Sequence, residues 1–345
     1  MTVAAAIPGI LPRQAIVRLI DSGAISLATP AAAGQLQPAS LDLRLGTEAF
    51  RIRASFLPQP GKTVESKLGD LILHRFDLRD SAVLETGCVY LVPLLEMLAL
   101  PPDLAATANP KSSTGRLDVF TRVIADGVPA FDQMPAGYRG KLYAEICPQT
   151  FPIVVRTGSR LSQIRFRRGP QPDSNSRVVD LSVDLASVTD GLIGYRAKRH
   201  TGVIDIDKPG AYETAEFWEQ IHQGKGRGRL ILDPNQFYIL ASKEAVTVPP
   251  DEAAEMVPFN PLVGEFRVHY AGFFDPGFGF AGTSGEGARA VLEVRSHTVP
   301  FILEHGQTIG RLVYEPMTER PDVLYGAGLG SNYQGQGLKL GKHFI

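Results

Sequence analysis

Two glutamates are the residues of this 345-residue chain best suited to acid–base chemistry. Glu145 and Glu293 each lie inside an apolar stretch, "KLYAEI" and "RAVLEV" respectively. A carboxyl group that faces a pocket of low dielectric has a raised pKa, and it can then accept and donate a proton near neutral pH. A glutamate on a strand is more often solvated, so both interpretations stay open at this point.

A polar turn in the first half could serve the same chemistry. The segment 109–127 reads "NPKSSTGRLDVFTRVIADG", and within one turn it offers the hydroxyls of Ser112 and Ser113 and the guanidinium of Arg116. Such a set binds phosphate oxygens or fixes a water beside a carboxylate, although a plain turn is the commoner explanation. The aligned stretch "FNPLVGEF" in the second half lacks these residues, which indicates that the set serves a site supplied by the first half only.

The last residues, 326–345, read "GAGLGSNYQGQGLKLGKHFI" and combine glycines, amides and lysines. One interpretation is an idle, disordered terminus. The other is a lid that closes over a ligand carrying negative charge.

Short apolar runs separated by proline and glycine predict the elements that position these residues. Runs such as "SLDLRL", "CVYLVPL" and "RLILD" have the length of strands, so we expect a mainly β fold of sandwich or barrel type. Helical patterns are confined to 12–22, about 95–99, and 213–223.

The chain also repeats itself at an offset of 148 residues. The texts "KLYAEICPQTFPIVVRTGSRLSQIRF" and "RAVLEVRSHTVPFILEHGQTIGRLVY" align, with glutamate, proline and glycine in the same places. We predict a first domain over 1–170, a linker region over 171–195 and a second copy over 196–345. One large irregular β domain is the alternative.

Composition narrows the class of protein. The formal net charge is −1 and the hydrophobic fraction 44%, which gives no global reason to expect nucleic-acid binding. Two cysteines, Cys88 and Cys147, are too few for a disulfide framework and suit a reducing compartment. The start "MTVAAAIPGILPRQ" shows neither a signal peptide nor a membrane span, so we expect a cytoplasmic protein with no membrane partner.

The order of these motifs resembles that of the deoxycytidine triphosphate (dCTP) deaminases, of the trimeric dUTPase-like superfamily, in a duplicated form. The resemblance rests on "QPASLDLRLG", "SSTGR" followed by Ala125, "FDPGFG" with "VLE", and the tail "SNYQGQG". It implies two tandem copies of a distorted jelly-roll, dUTPase-like β-barrel with a few short helices. It further implies hydrolytic deamination of dCTP to dUTP and ammonia, and a homo-oligomer whose sites are shared between domains or subunits.

The resemblance also implies roles for individual residues. Glu145 and Glu293 match the catalytic glutamate, and Ser112 and Arg116 match residues beside the catalytic water. The nucleotide-binding residues that it implies are Lys111, Ser113, Ala125, Asp132, Asp275, Tyr333, Gln336 and Lys339. Lys111 stands where the family usually has arginine, and Asn332 replaces its tail lysine, so Lys339 or Lys342 is expected to substitute.

The resemblance does not decide which of the two glutamates is catalytic. In this superfamily a site is shared between neighbours, so Ser112 and Arg116 can complete a pocket built around Glu293, while Glu145 is either active or a relic. The zinc-deaminase signature is absent from the sequence, so the glutamate is expected to carry the chemistry without zinc. Mg²⁺ is expected to accompany the triphosphate.

Three other functions compete with this one. The first is dUTP pyrophosphate hydrolysis, alone or coupled to deamination. The second is a non-catalytic relative that binds dCTP or the candidate effector dTTP without turnover. The third is a generic jelly-roll binding module.

Overall fold

The computed structural model of the chain describes residues 7–171, 176–186, 191–224, 228–258, 266–268, 272–280, 287–296, 298–326, 333 and 337–345. The fold is mainly β, which confirms the class predicted from the sequence. Among the described residues, none of the helices has the length and apolar character needed to cross a membrane.

The first half carries thirteen strands, three short α-helices and a 3₁₀ turn at Gly69–Leu71. They are β1 (Gly9–Ile10), α1 (Arg13–Asp21), β2 (Ile25–Leu27), β3 (Leu41–Arg44), β4 (Glu48–Ile52), α2 (Val64–Leu68), β5 (Ile72–Asp77), β6 (Ala82–Leu84), β7 (Val89–Ala99), β8 (Leu104–Pro110), α3 (Ser112–Gly115), β9 (Val119–Ala125), β10 (Gln133–Met134), β11 (Arg139–Pro148), β12 (Ile153–Val155) and β13 (Arg160–Arg168).

The described residues of the second half carry twelve strands and one short helix. They are β14 (Val178–Ser182), β15 (Leu192–Ala197), β16 (Ile204–Asp205), α4 (Thr214–Phe217), β17 (Trp218–His222), β18 (Arg229–Leu232), β19 (Phe237–Val246), β20 (Glu252–Pro258), β21 (Phe266–Val268), β22 (Phe273–Phe274), β23 (Ala288–Ser296), β24 (Phe301–Glu304) and β25 (Thr308–Pro316).

The sheets of the two halves have matching strand orders. In the first half the orders are β1-β13-β8-β10, with β3 also on β13, and β5-β4-β7-β11-β9, with β2 on β7. In the second half they are β14-β25-β20-β22 and β17-β15-β19-β23-β21. The bounds of β8 and β13 become those of β20 and β25 when 148 is added, as the sequence repeat requires. The segment 171–195 contains β14, which pairs with β25; the domain boundaries and the jelly-roll description stay predictions.

Each half buries its own apolar core. Along strand β23, successive side chains alternate between the core of the second half and the face that meets the first half. In β23, Leu292 and Val294 point into the second core, while Val291 packs against the core of the first half. Because side chains alternate across a strand, Glu293 lies on the same face as Val291. The second half therefore presents Glu293 to the first half.

The segment 198–217, between β15 and β17, crosses from the second half to the first. Its strand β16 pairs in parallel with β12, and Arg156 forms ion pairs of 2.7 Å with both Asp205 and Asp207. The end of the chain is bound to the same segment, because the Ile345 backbone N–H donates to Tyr212 O at 3.0 Å. The segment 198–217 therefore joins the two halves.

Two of the three predicted helices are wrong in whole or in part. Helix α1 confirms the first, but 95–99 belongs to strand β7, where Glu96 is buried against Arg44 at 2.7 Å. In 213–223 only Thr214–Phe217 is helical, and strand β17 follows. Leu, Glu and Met favour helices by a few tenths of a kcal/mol per residue, and pairing with neighbouring strands outweighs that preference.

An aromatic cluster at this junction provides a test of how the halves are held together. Phe151 is fully buried, and its ring centroid lies 5.4 Å from that of Trp218, the only tryptophan of the chain. We expect Phe151→Ala to lower the free energy of unfolding by about 3–5 kcal/mol, the usual cost of removing a buried phenyl ring. Tryptophan fluorescence during urea unfolding measures this directly.

The control is Phe280→Ala, because the Phe280 side chain is half exposed. That variant is expected to change the free energy of unfolding by less than about 0.5 kcal/mol. Equal effects of the two substitutions would show that the cluster does not hold the halves together.

Candidate active site

The polar turn of the first half folds into helix α3, a single turn between β8 and β9. Its backbone is held by the Arg116 N–H, which donates to Ser112 O at 3.1 Å, and by the Thr114 hydroxyl, which donates to Leu161 O at 2.8 Å. Ser113 and Thr114 are buried. This burial shows that the turn lies within the molecule and not on its solvated surface.

Glu293 meets this turn at its glycine. A Cβ placed on Gly115 would lie 2.6 Å from Glu293 Oε2 and 2.9 Å from Oε1, well inside contact distance. Only glycine therefore allows the carboxyl group and the turn to come this close. The contact joins the serine motif of the first half to the glutamate motif of the second half, which lie almost 180 residues apart in the sequence.

Burial governs the protonation of Glu293, whose side chain is only 4% exposed. Loss of water raises the pKa of this carboxyl group well above its usual value. The positive charge of Arg116 opposes the shift, and the negative charge of Asp118 adds to it. A carboxyl group in this environment keeps its proton to a higher pH than an exposed glutamate does.

A cavity of about 330 Å³ opens beside Glu293 and is lined by both halves. Eight of the residues singled out in the sequence line it together: Lys111, Ser112, Ser113, Arg116, Asp275, Glu293, Tyr333 and Lys342.

The tail packs over Arg116. The guanidinium carbon lies 3.9 Å from the centroid of the Tyr333 ring, and Arg116 Nη1 donates to Lys339 O at 2.9 Å. The Lys342 N–H in turn donates to the Tyr333 hydroxyl at 3.2 Å. The Lys339 ammonium lies 5.9 Å from the same ring but does not line the cavity. Gln336 lies outside the described residues.

Asp275, on the hairpin before β23, is held by an arginine of the first half. Arg165 Nη2 lies 3.2 Å from Asp275 Oδ1, and Arg165 Nη1 donates to Ala254 O at 3.0 Å. Burial raises the pKa of Asp275, and the charge of Arg165 opposes that shift. The aspartate is thus fixed in position beside the cavity.

One region of the cavity wall carries excess positive charge. Lys111, Arg160 and Lys342 all line it, and Asp42 forms an ion pair with Lys111 and lies 3.5 Å from Arg160. Burial lowers the pKa of Lys342, and the charges of Lys111 and Arg160 lower it further. Mutual repulsion of this kind is relieved when an anion binds among the three cations.

Glu145, Asp132 and Ala125 do not line this cavity. Glu145 is buried, Ser55 hydrogen-bonds to it, and burial raises its pKa. Asp132 accepts a hydrogen bond from the Val123 N–H at 2.7 Å, and burial raises its pKa to about 7. Ala125 packs in the core of the first half. The structure therefore separates these three residues from the other predicted site residues.

The segment 53–71, between β4 and β5, covers the face of the first half that corresponds to the Glu293 face. In its helix α2, Val64 and Leu68 pack with Tyr143, two residues before Glu145. The Val64 N–H also donates to Asp126 Oδ1 at 2.7 Å. The corresponding segment of the second half, 198–217, crosses to the other half and leaves its own face open to the polar turn.

Sequence reasoning assigned no role to several residues that line the cavity. Asp42 lies in the quoted motif "QPASLDLRLG", where a charge inside an apolar strand was the available signal. Arg160 and Tyr325 gave no signal of their own, and neither did Asp207, which lies in the segment 198–217.

Known proteins match both halves of the chain. Residues 7–170 match the family described as 2′-deoxycytidine 5′-triphosphate deaminase (DCD) N-terminal domain, and residues 161–344 match the C-terminal domain of the same family. Among curated proteins, a "dCTP deaminase" of Halorubrum lacusprofundi is 31% identical over 140 residues, which are 40% of this chain and 66% of that protein.

A "dCTP deaminase, dUMP-forming" of Clavibacter michiganensis is 30% identical over 175 residues, or 47% of this chain and 78% of the relative. The chain thus spans about two thirds or somewhat more of these curated relatives. The crystal structure of 2′-deoxycytidine 5′-triphosphate deaminase from Agrobacterium tumefaciens superposes with a TM-score of 0.87 at 58% identity, over 92% of this chain and 100% of that one. The chain therefore belongs to the 2′-deoxycytidine 5′-triphosphate deaminase family of enzymes.

Proposed function

We propose that the chain hydrolyses dCTP to dUTP and ammonia, with Glu293 as general acid and base and without zinc. The observation that carries the proposal is the contact of the buried Glu293 carboxyl group with the Gly115–Arg116 turn, at the wall of a cavity that also bears a cationic cluster. An acid–base group and three cationic side chains that could bind phosphates share this one cavity, which supports the proposal.

The upward shift of the Glu293 pKa supports its assignment as general acid and base. In its ionised form it takes a proton from water as the water oxygen attacks C4 of the cytosine ring. It delivers that proton to N3 of the ring, then takes the second proton from the C4 hydroxyl and delivers it to the 4-amino group, so that the C–N bond breaks with ammonia as the leaving group and a C4 carbonyl remains. A pKa raised by burial brings the carboxyl group closer to the working pH, where general acid–base catalysis is most effective.

Ser112 and Arg116 are the groups that would orient the attacking water. They lie on the turn that touches Glu293, and Arg116 is held on its other side by Tyr333 and by the backbone of Lys339. A fixed guanidinium orients a carboxylate more strictly than a mobile ammonium does. The tail would thereby keep Arg116 in place while the reaction proceeds.

Lys111, Arg160 and Lys342 would bind the triphosphate. With the triphosphate there, the base of the nucleotide would point toward Glu293, and its sugar would lie near Asp275. Mg²⁺ fits this region through phosphate oxygens and water, with Asp42 and Asp207 as the carboxylates nearby. Within the described residues, no group of three or more His, Cys, Asp or Glu side chains could hold a metal ion on its own. Bound Mg²⁺ would neutralise part of the phosphate charge.

Glu293, and not Glu145, is the glutamate that we assign to catalysis. The polar turn lies against Glu293, whereas the segment 53–71 covers the face that carries Glu145. A nucleotide would have to displace the buried side chains of α2 to reach Glu145. One nucleotide site in each chain follows from this difference.

Hydrolysis of dUTP is the second candidate function. Asp275 is buried at the same cavity, and one relative is named as dUMP-forming. In dUTPases a hairpin aspartate activates the water that attacks the phosphate, and Asp275 is the residue of this chain that would do so. Release of pyrophosphate together with ammonia would establish a bifunctional enzyme.

As further proposals, the chain forms a homo-oligomer and dTTP binds as an effector.

The assignment of the glutamates predicts opposite results for two matched variants. Glu293→Gln is expected to lower kcat for ammonia release by about 10²–10⁴, the usual contribution of a general acid–base group. Glu145→Gln is expected to stay within about twofold of the wild type, since its side chain lies outside the cavity. Ammonia and pyrophosphate are followed separately, with dCTP and Mg²⁺ as reactants.

The outcome that contradicts the assignment is loss of activity in Glu145→Gln with Glu293→Gln still active. If the wild type binds dCTP but releases no ammonia, the chain is a nucleotide-binding protein and the deaminase proposal fails. Circular dichroism of both variants shows whether a loss of activity reflects a loss of fold.

The cationic cluster predicts a change in binding. Removing the ammonium with Lys342→Met is expected to raise the KM for dCTP at least about tenfold with little change in kcat, because a charge-assisted hydrogen bond contributes about 1.5–3 kcal/mol. Lys62→Met is the control, because that lysine is exposed and does not line the cavity. An unchanged KM in Lys342→Met would place the triphosphate elsewhere.

A further inference from the structure

The polar turn makes a second contact with β23, next to the contact between Gly115 and Glu293. Asp118, two residues after Arg116, forms an ion pair with Arg295, two residues after Glu293. Thr150 joins them, because its hydroxyl donates to Asp118 Oδ2 at 2.5 Å and Arg295 Nη2 donates to Thr150 Oγ1 at 3.0 Å.

This ion pair is buried. Asp118 is 1% exposed, and the Arg295 side chain 11%. The backbone also fixes Asp118, because its carbonyl accepts from the Gln149 N–H at 2.9 Å and its φ of 55° puts it in the left-handed region that aspartate tolerates. Removal of either partner would leave an uncompensated charge inside the protein. The geometry of the pair is therefore strongly constrained.

The position of the pair relates it to the reacting group. Alternate residues of a strand share a face, so Glu293 and Arg295 both point from β23 toward the first half. Glu293 meets Gly115 and Arg295 meets Asp118, which makes two adjacent contacts between one strand and one turn. The second contact thus sets how closely the turn approaches Glu293.

We propose that Asp118 and Arg295 are a positioning pair, which holds the polar turn of the first half against β23 and sets the charge environment of Glu293. The proposal rests on the proposed function, because it takes Glu293 as the general base. Neither member of the pair lines the cavity, so both act through Glu293.

The charges that face Glu293 come from three parts of the chain. Arg116 and Asp118 face it from the polar turn, Arg295 is its neighbour on β23, and Tyr333 approaches from the tail. Lys111 and Asp275 line the same cavity. Arg116 lowers the pKa of Glu293 and Asp118 raises it. Burial raises the pKa of Asp118 itself to about 6, against the charge of Arg295. Above that pH, the negative charge of Asp118 is the part of the pair that favours the protonated form of Glu293.

Removal of the Asp118 charge should lower the pKa of Glu293. Asp118→Asn keeps the shape of the side chain but removes its negative charge and leaves the positive charge of Arg295, so the ionised form of Glu293 becomes more favourable. A general base works in its ionised form, and activity falls when the pH drops below its pKa. The acidic limb of the kcat/KM profile should then move to lower pH by about one unit, the lower end of what a nearby charge produces.

Two control variants separate charge from structure. Thr150→Val removes a hydrogen bond from the pair without changing charge, and its acidic limb should coincide with that of the wild type. Arg295→Lys keeps the positive charge and should also leave the limb in place. If Asp118→Asn does not fold, the double variant Asp118→Asn with Arg295→Gln leaves no unpaired buried charge. Its limb should move in the same direction by a smaller amount.

The experiment is kcat/KM for dCTP, from ammonia release, between about pH 5.5 and about pH 9, with melting temperatures measured in parallel. An acidic limb that stays in place in Asp118→Asn, with only the rate or the melting temperature lowered, would show a purely structural pair and overturn the proposal. If the wild type releases no ammonia, it is the proposed function that has failed. The pair is then judged from the infrared carboxyl band of Glu293, assigned with Glu293→Gln, which should titrate at lower pH in Asp118→Asn.

Discussion

Desolvation of the Glu293 carboxyl group is the constraint around which the junction of the two halves is arranged. A carboxylate placed out of water needs nearby positive charge or a proton, and here it meets Arg116 on one side and the negative Asp118 beyond it. The glycine at 115 brings the turn close enough for these charges to act. The tail and the segment 198–217 then close the junction from outside, through Tyr333 over Arg116 and β16 on β12.

The two halves differ at the point where one segment folds. In the first half this is the segment 53–71, which follows β4, the partner of β7. In the second half it is the segment 198–217, which follows β15, the partner of β19. The first folds back and buries Val64 and Leu68 against its own sheet, close to Glu145. The second crosses to the other half and binds the end of the chain. Equivalent glutamates thus lie in different surroundings, which is the physical reason for assigning catalysis to one of them.

The sequence predicted what depends on local pattern and on the repeat. The apolar runs marked the strands, the offset of 148 residues marked the corresponding strands of the two halves, and the motifs marked eight residues that line one cavity. It did not predict strand at 95–99, because helix-forming residues there are held by pairing with β2 and β11. It also did not predict the role of Asp207 or of the pair Asp118–Arg295. Their partners lie far away in the sequence and follow from how the halves pack.

The most direct test of the account is a crystal structure of the Glu293→Gln variant with dCTP and Mg²⁺. We expect one nucleotide in each chain, with C4 of the cytosine beside residue 293 and the triphosphate among Lys111, Arg160 and Lys342. A nucleotide bound beside Glu145, or one with its triphosphate at residue 293 and its base among the lysines, would contradict the account.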